Sequence, residues 1–194
     1  MTKRSIELHC ATDPVWVNSI LENFDAFLQD HANCERKASA LAMSMVVKHP
    51  DREAIVPTLI SIAREELEHF EQVHDVMRTR GLRLVKDEPD PYVNALLKFM
   101  RHGRNDSFLD RLLIFSLVEC RGAERFGILS RALTDPQLER FYKQLWGAEA
   151  KHGNQFVEMA LEYYTSDVVY ARLETLAAQE AQIIQTLPWR ASLH

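Results

Sequence analysis

The sequence predicts an all-α protein: a four-helix bundle with additional N-terminal, crossover and C-terminal helices. Three observations indicate this fold. Long stretches carry apolar residues every three or four positions, helix-ending signals separate those stretches, and residues that favour turns are few. The 194 residues include only six glycines and seven prolines. We expect a single domain that spans residues 1–194.

The four bundle helices have recognisable start and stop signals. The first follows an expected break near Asn23 and ends before Pro50. The second contains Pro57, so we expect a kink there or a start closer to it, and Asp51 could cap it. Thr134 could cap the fourth. The expected ranges are about 24–48, 52–80, 107–133 and 135–164.

Three further helical segments complete the prediction. Pro14 starts a short N-terminal helix. A 23-residue insert, 82–104, begins as a loop and continues as an amphipathic stretch over 92–100. A last helix is expected over 167–187.

Composition and charge narrow the class of protein. Apolar residues make up 46% of the chain and charged residues 26%, which is typical of a globular protein. The net charge of −5 argues against a protein that mainly coats nucleic acid, although it allows a local basic patch. No apolar run is long enough to span a bilayer, and no secretory signal is visible. The three cysteines form no CxxC pair. We therefore expect a cytoplasmic protein without a membrane partner.

The most informative feature is an internal repeat. In each half of the chain, a glutamate within one helix precedes a Glu-x-x-His pattern on the next, by 31 residues in the first half and 30 in the second. The two Glu-x-x-His patterns begin 83 residues apart, which leaves room for a crossover connection. The six residues are Glu35, Glu66, His69, Glu119, Glu149 and His152.

This spacing suits metal binding. Residues three apart on an α-helix differ by about 60° from a full turn and by about 4.5 Å of rise, so a glutamate and a histidine can share one metal. Four glutamates and two histidines around two metals form the ligand set of ferritin-like di-iron and di-manganese proteins. Glu35, Glu119 and Glu149 each interrupt an apolar stripe, where an isolated carboxylate would be costly. Such ligands suit iron or manganese, and we favour iron.

Several nearby residues invite other interpretations. The pattern from Glu71 to His74 is a decoy, because His74 lies about 140° around the helix from His69. We expect that pair at the surface. His31, one turn before Glu35, could support it or be only a polar neighbour. Tyr142 could line a substrate pocket or take part in radical chemistry, although packing in the core is the favoured interpretation.

Four segments resemble one bacterial family. They are Asp30–Ser39, Arg64–Phe70, Leu117–Phe126 and Glu149–His152. Together they resemble the tRNA 2-methylthio-N6-isopentenyladenosine hydroxylases, and the resemblance covers nearly the whole chain. It implies a non-haem di-iron centre that uses O₂ to hydroxylate the isopentenyl side chain of a hypermodified adenosine in tRNA. The six repeated residues would be the iron ligands and the catalytic centre. An external electron-donor protein is also implied, because no rubredoxin-like CxxC pair and no flavin fingerprint is present.

Substrate contacts are predicted at two kinds of residue. Leu112, Phe115 and Phe126, with Tyr142, are expected to line an apolar path for the isoprenoid tail. Two basic clusters are expected to form the surface that binds tRNA. Within them, Arg101 and Arg104 are predicted to contact the tRNA directly. An alternative is that each cluster only complements a helix dipole. The clusters are Arg78, Arg80, Arg83 and Lys86, then Lys98, Arg101, His102 and Arg104.

Two other functions use the same ligand set. One is a di-iron oxygenase that acts on a lipid or quinone tail. The other is ferritin-like or rubrerythrin-like chemistry, namely iron oxidation and storage or peroxide removal. The insert at 82–104 fits a storage cage poorly, and a rubrerythrin would bring a rubredoxin domain.

Overall fold

The computed structural model describes residues 6–188 and 190–194. Within them the chain forms seven α-helices, one short 3-10 helix and no β-strand, which confirms the all-α prediction. The α-helices are α1 (Val15–Glu22), α2 (Phe24–Lys48), α3 (Val56–Thr79), α4 (Pro91–Leu97), α5 (Arg104–Ala132), α6 (Pro136–Leu161) and α7 (Ser166–Thr186). They belong to two compact units, and α1 spans the point where the chain passes from one unit to the other.

One unit comprises residues 18–88 and 190–193 and contains α2 and α3. A short 3-10 helix, Glu53–Ile55, precedes α3. The predicted cap at Asp51 is therefore wrong, because the chain makes this extra turn first. The helix α3 itself begins at Val56, so Pro57 lies in its first turn, where no intrahelical N–H bond is needed. This confirms the predicted start close to the proline.

The segment that follows α3 runs along α2. It leaves the helix at Gly81, whose φ of +71° suits glycine. Side chains spaced four apart on α2 then contact every second residue of the segment, as a helix face beside an extended chain should. The contacts are Gln29 to the Arg83 carbonyl (2.9 Å), Asn33 to the Val85 carbonyl (3.4 Å) and Lys37 Nζ to Asp87 Oδ1 (2.8 Å).

The other unit comprises residues 6–17, 89–188 and 194 among those described, and contains α4 to α7. Two of its helices begin at an aspartate followed by proline. Asp90 accepts hydrogen bonds from two backbone N–H groups of α4, and Asp135 does the same for α6. The predicted cap at Thr134 is thus wrong by one residue, because Asp135 occupies the capping position directly before Pro136.

The helix α5 is the most enclosed of the seven. Seventeen of its 29 residues are buried, and they include nearly every position from Phe108 to Leu117. A helix with one buried face would have exposed residues every three or four positions. Since this stretch of α5 has almost none, α5 is covered on more than one side. Across the described residues, no helix is long and apolar enough to cross a membrane.

Candidate metal centre

The structure brings the six predicted ligands together as two triads, each within one unit. The first triad is formed by Glu35 of α2 with Glu66 and His69 of α3. All three are buried, and each offers a ligand atom within 4.8 Å of the other two. His69 Nδ1 lies 3.5 Å from Glu66 Oε2 and 3.6 Å from Glu35 Oε2. These three atoms converge on one point that a metal ion could occupy.

The second triad repeats this arrangement in the other unit. Glu119 of α5 faces Glu149 and His152 of α6, and the three ligand atoms again lie within 4.8 Å of one another. His152 Nδ1 is 3.6 Å from Glu149 Oε2. Glu149 and His152 are buried, whereas Glu119 is partly exposed.

One serine in each helix pair helps to set the level at which the ligands meet. Ser39 Oγ donates to the Ala63 carbonyl of α3 at 2.7 Å, and Ser116 Oγ donates to the Gly153 carbonyl of α6 at 2.9 Å. Each bond lies about one turn from the glutamates of its triad. Since the short connections make these helix pairs antiparallel, the bonds fix the register in which the glutamates face each other.

A close approach of α5 and α6 lies next to the second triad. A Cβ atom added to Gly153 would meet Cys120 Sγ at 2.7 Å and the Ser116 carbonyl at 3.3 Å. Only glycine fits there without a shift of the Cys120 side chain or of one helix. The role of Gly153 was not predicted from the sequence, where its signal is a glycine directly after the predicted ligand His152.

The first triad has a buried hydrogen-bond partner. His31 Nε2 lies 2.6 Å from Glu35 Oε1, and neither side chain is appreciably exposed. The His31 ring also stacks on Phe27, with centroids 5.6 Å apart. The first of the two interpretations of His31, support of Glu35, matches this geometry.

The donor atoms fit a divalent transition metal. Each triad combines two carboxylates and one imidazole, the hard and intermediate ligands that iron and manganese accept. Two buried carboxylates a few ångströms apart repel each other, and a cation between them removes that cost. The decoy pattern does not join a triad, since Glu71 and His74 are both exposed as predicted.

The apolar residues predicted to line a substrate path lie in the core. Leu112, Phe126 and Tyr142 are fully buried, and Phe115 nearly so. The rings of Phe126 and Tyr142 have centroids 5.5 Å apart. Phe115 packs edge-on against Phe156 at 5.6 Å. These aromatic contacts form part of the packing between α5 and α6.

A pocket of about 360 Å³ lies on another face of the same helix pair. Its lining includes Cys120, Trp146 and Ala150, together with residues of the segment that precedes α1. Cys120 and Ala150 each follow a predicted ligand by one residue, which turns them about 100° away from it. None of the four predicted apolar residues lines this pocket.

The two predicted tRNA-contacting arginines differ in their surroundings. Arg104 begins α5 and is exposed. The Arg101 guanidinium instead donates to the buried Asp110 at 2.7 Å and also pairs with Asp106 at 3.2 Å. Arg172 donates to Asp110 from α7 at 2.8 Å. Burial raises the pKa of Asp110, but the hydrogen bonds from Arg172 and Arg101 outweigh it and lower that pKa to about 2.

A second buried charge cluster connects the N-terminal segment to α5 and α7. Arg121 donates to Glu180, Glu124, Thr12 and the Cys10 carbonyl. Burial lowers the pKa of the Arg121 guanidinium, and the two carboxylates reverse this effect, so the net pKa is raised. This cluster was not predicted from the sequence.

An all-helical chain with two repeated triads of two glutamates and one histidine defines a ferritin-like carboxylate protein with a candidate metal centre. Comparisons with known proteins identify the family within this class. The sequence model of the family described as tRNA-(MS[2]IO[6]A)-hydroxylase (MiaE) matches residues 1–194. The chain belongs to this family.

Individual relatives agree with the family. The chain is 32% identical to a tRNA 2-(methylsulfanyl)-N(6)-isopentenyladenosine(37) hydroxylase of Pseudomonas putida, over 92% of this chain and 87% of that protein. It is 26% identical to the protein of the same name from Salmonella typhimurium, over 91% and 83%. Among solved structures it is similar to a protein with aldehyde deformylating oxygenase activity from Synechococcus, with a TM-score of 0.92, 32% identity and coverage of 99% and 96%.

Proposed function

We propose that this protein hydroxylates the isopentenyl side chain of 2-methylthio-N6-isopentenyladenosine in tRNA, with two iron ions and O₂. The observation that carries the proposal is the match of residues 1–194 to a family of tRNA hydroxylases. The two triads support it, because they supply the ligand set of a ferritin-like di-iron protein.

The six ligands would hold the irons, one triad for each ion. We propose that both triads act as one di-iron centre and that residues 1–194 are a single functional domain. The equal composition of the triads and the 31- and 30-residue spacings of the repeat support this assignment. Iron bound there would supply the redox chemistry that activates O₂.

The reaction replaces one C–H bond of the side chain by C–OH. One oxygen atom of O₂ enters the product and the other leaves as water, so two electrons and two protons must be supplied. No rubredoxin-like CxxC pair and no flavin fingerprint occurs in the sequence. We therefore propose an external electron-donor protein as a partner.

The residues of the chain position the substrate and exclude water. Burial of Glu66, Glu149 and His152 keeps bulk water from the donor atoms, which strengthens their electrostatic interaction with a cation. We propose that Leu112, Phe115, Phe126 and Tyr142 face the isoprenoid tail. Their side chains are apolar and buried, which supports this assignment, and the tail would enter by displacing part of the aromatic packing between α5 and α6.

The two basic clusters are the proposed contacts to tRNA phosphates. Lys98, His102 and Arg104 are exposed in one unit, and Arg83 and Lys86 in the other. Arg101 has a second role, because its guanidinium is held by Asp110. We also propose a cytoplasmic location, where tRNA would be available as the substrate.

A single-turnover assay tests the proposal. The iron-loaded, reduced protein is mixed with O₂ and tRNA that carries the methylthio-isopentenyl adenosine, and nucleosides are analysed by mass spectrometry. We expect a gain of one oxygen atom. Glu149→Ala should abolish the gain, whereas Glu71→Ala, a change in the exposed decoy pattern, should preserve it. Wild-type protein that holds two irons and consumes O₂ without changing the nucleoside would contradict the proposal.

The similarity to a protein with aldehyde deformylating oxygenase activity favours one second candidate, an oxygenase that acts on an aldehyde. The same iron-loaded protein should be incubated with a long-chain aldehyde and a chemical reductant. We expect no loss of aldehyde, because the whole chain matches the tRNA hydroxylase family. Turnover of the aldehyde with unchanged tRNA would favour the second candidate.

A further inference from the structure

We propose that His31 makes the two metal positions inequivalent by holding Glu35 as a ligand through one oxygen only. This inference rests on the proposed di-iron centre. It concerns the orientation of one carboxylate within the first triad, so His31 is a positioning residue.

The geometry of Glu35 separates its two oxygens. Oε1 lies 2.6 Å from His31 Nε2, and Oε2 lies 3.6 Å from His69 Nδ1. An ionised carboxylate can only accept a hydrogen bond, so His31 Nε2 must carry the proton. One oxygen is thereby committed to His31, and the other points to the side where His69 and Glu66 converge.

The surroundings hold His31 in place. Its side chain has no exposed surface, and its ring stacks on Phe27 one turn earlier on the same helix. A buried hydrogen bond between two fixed side chains resists rearrangement, because releasing Oε1 would leave His31 without that bond in a site closed to water. The Glu35 carboxylate is therefore expected to keep one orientation.

The other half of the repeat has a different residue at the matching position. Four residues before Glu119 the chain has Phe115, which has no hydrogen-bond donor in its side chain and packs against Phe156. Glu119 is also partly exposed, whereas Glu35 is buried. Otherwise the triads have the same composition. The structure thus assigns Glu35 a buried bond from a histidine that the matching residue, Phe115, cannot give to Glu119.

Iron binding and Mössbauer spectra test this inference without any measurement of activity. Wild-type protein loaded anaerobically with two ferrous ⁵⁷Fe ions should show two different quadrupole doublets of equal area. His31→Phe, which copies the residue at the matching position, should change one doublet and weaken one of the two binding phases by about 10- to 100-fold. His31→Gln can donate to Oε1 through its amide and should restore both properties. His74→Phe, a change of an exposed histidine, is the matched control and should behave as wild type.

The outcomes are distinct. Binding of two irons with the same spectra and affinities in His31→Phe and wild type would overturn the inference and leave the proposed function standing. Equal weakening of both phases would also overturn it. Wild-type protein that binds fewer than two irons would overturn the di-iron centre together with the inference. If His31→Phe does not fold, His31→Ala gives the same comparison without the bulk of the phenyl ring.

Discussion

The Arg121 guanidinium holds the Glu180 carboxylate through two hydrogen bonds, of 2.8 Å from Nε and 3.0 Å from Nη2, and neither side chain is exposed to solvent. Tyr92 donates a further bond to Glu180 at 2.9 Å. The pair joins α5 to α7, two residues beyond the predicted ligand Glu119. Because both charges are buried, loss of either partner would leave the other charge buried and unpaired, which would destabilise this unit.

Glu180→Gln should destabilise the protein by about 3 kcal/mol, because it leaves Arg121 buried with an incomplete set of anionic partners. Urea unfolding followed by circular dichroism measures this change. Glu71→Gln, at an exposed position, should change the free energy of unfolding by less than about 0.5 kcal/mol. Equal effects of the two substitutions would contradict the assigned role of the pair.

Gly153→Ala should separate α5 and α6 beside the second triad. Its new Cβ would overlap Cys120 Sγ, so we expect a loss of about 1–3 kcal/mol and weaker iron binding. Gly147→Ala is the matched control, because it lies on the same helix with nothing within 4 Å of the added Cβ. That control should stabilise the protein by up to about 1 kcal/mol through helix propensity.

The double variant Gly153→Ala with Cys120→Ala sharpens this prediction. Removal of Sγ makes room for the new Cβ, so the double variant should regain much of the lost stability and iron affinity. A double-mutant cycle measures the coupling. Additive losses would show that the contact between the two positions is not the cause.

The helices, and the meeting of the six predicted ligands in two triads, could be predicted from the sequence because both depend on local residue spacing. A helix repeats every 3.6 residues, and Glu-x-x-His lies within one turn. The Arg121–Glu180 pair could not be predicted, since its members are 59 residues apart on two helices and carry no shared local pattern. The same holds for Asp110, which two arginines reach from the segment before α5 and from α7.

The exact capping residue of a helix is also difficult to predict from the sequence. Thr134 and Asp135 are both good capping residues, and the choice between them depends on where the chain turns into the helix. The structure places that turn at Asp135. The sequence likewise could not distinguish support of Glu35 by His31 from a role as a polar neighbour, because that choice depends on the side-chain contacts of His31 with Glu35 and Phe27.

Stability should fall as acid protonates Asp110. Its pKa is lowered to about 2 in the folded protein from 3.8, so the unfolded state binds more protons between these values. The stabilisation is present above about pH 4 and is lost as the pH falls towards 2, by about 1–2 kcal/mol. Thermal unfolding across this range measures the slope. Asp110→Asn should be less stable at pH 7 and should lose less stability over the acidic range.

Ferrous iron should stabilise the folded protein under anaerobic conditions, because the triads exist in the folded state and not in the unfolded chain. At a free iron concentration of about 100 times the dissociation constant, each site adds about 2.7 kcal/mol. Differential scanning calorimetry should show a higher Tm with iron and no comparable effect of magnesium, which binds imidazole poorly. His152→Ala should reduce the rise in Tm. An unchanged Tm in wild-type protein would contradict metal binding by the triads.

The most direct test of the central claim is a single turnover under ¹⁸O₂ with tRNA that carries the methylthio-isopentenyl adenosine. We predict that this nucleoside gains one ¹⁸O atom on its isopentenyl side chain, in an amount that follows the iron content of the protein. A nucleoside that stays unchanged, or that gains its oxygen from water, in a sample holding two irons would contradict the account of this protein as an O₂-dependent tRNA hydroxylase.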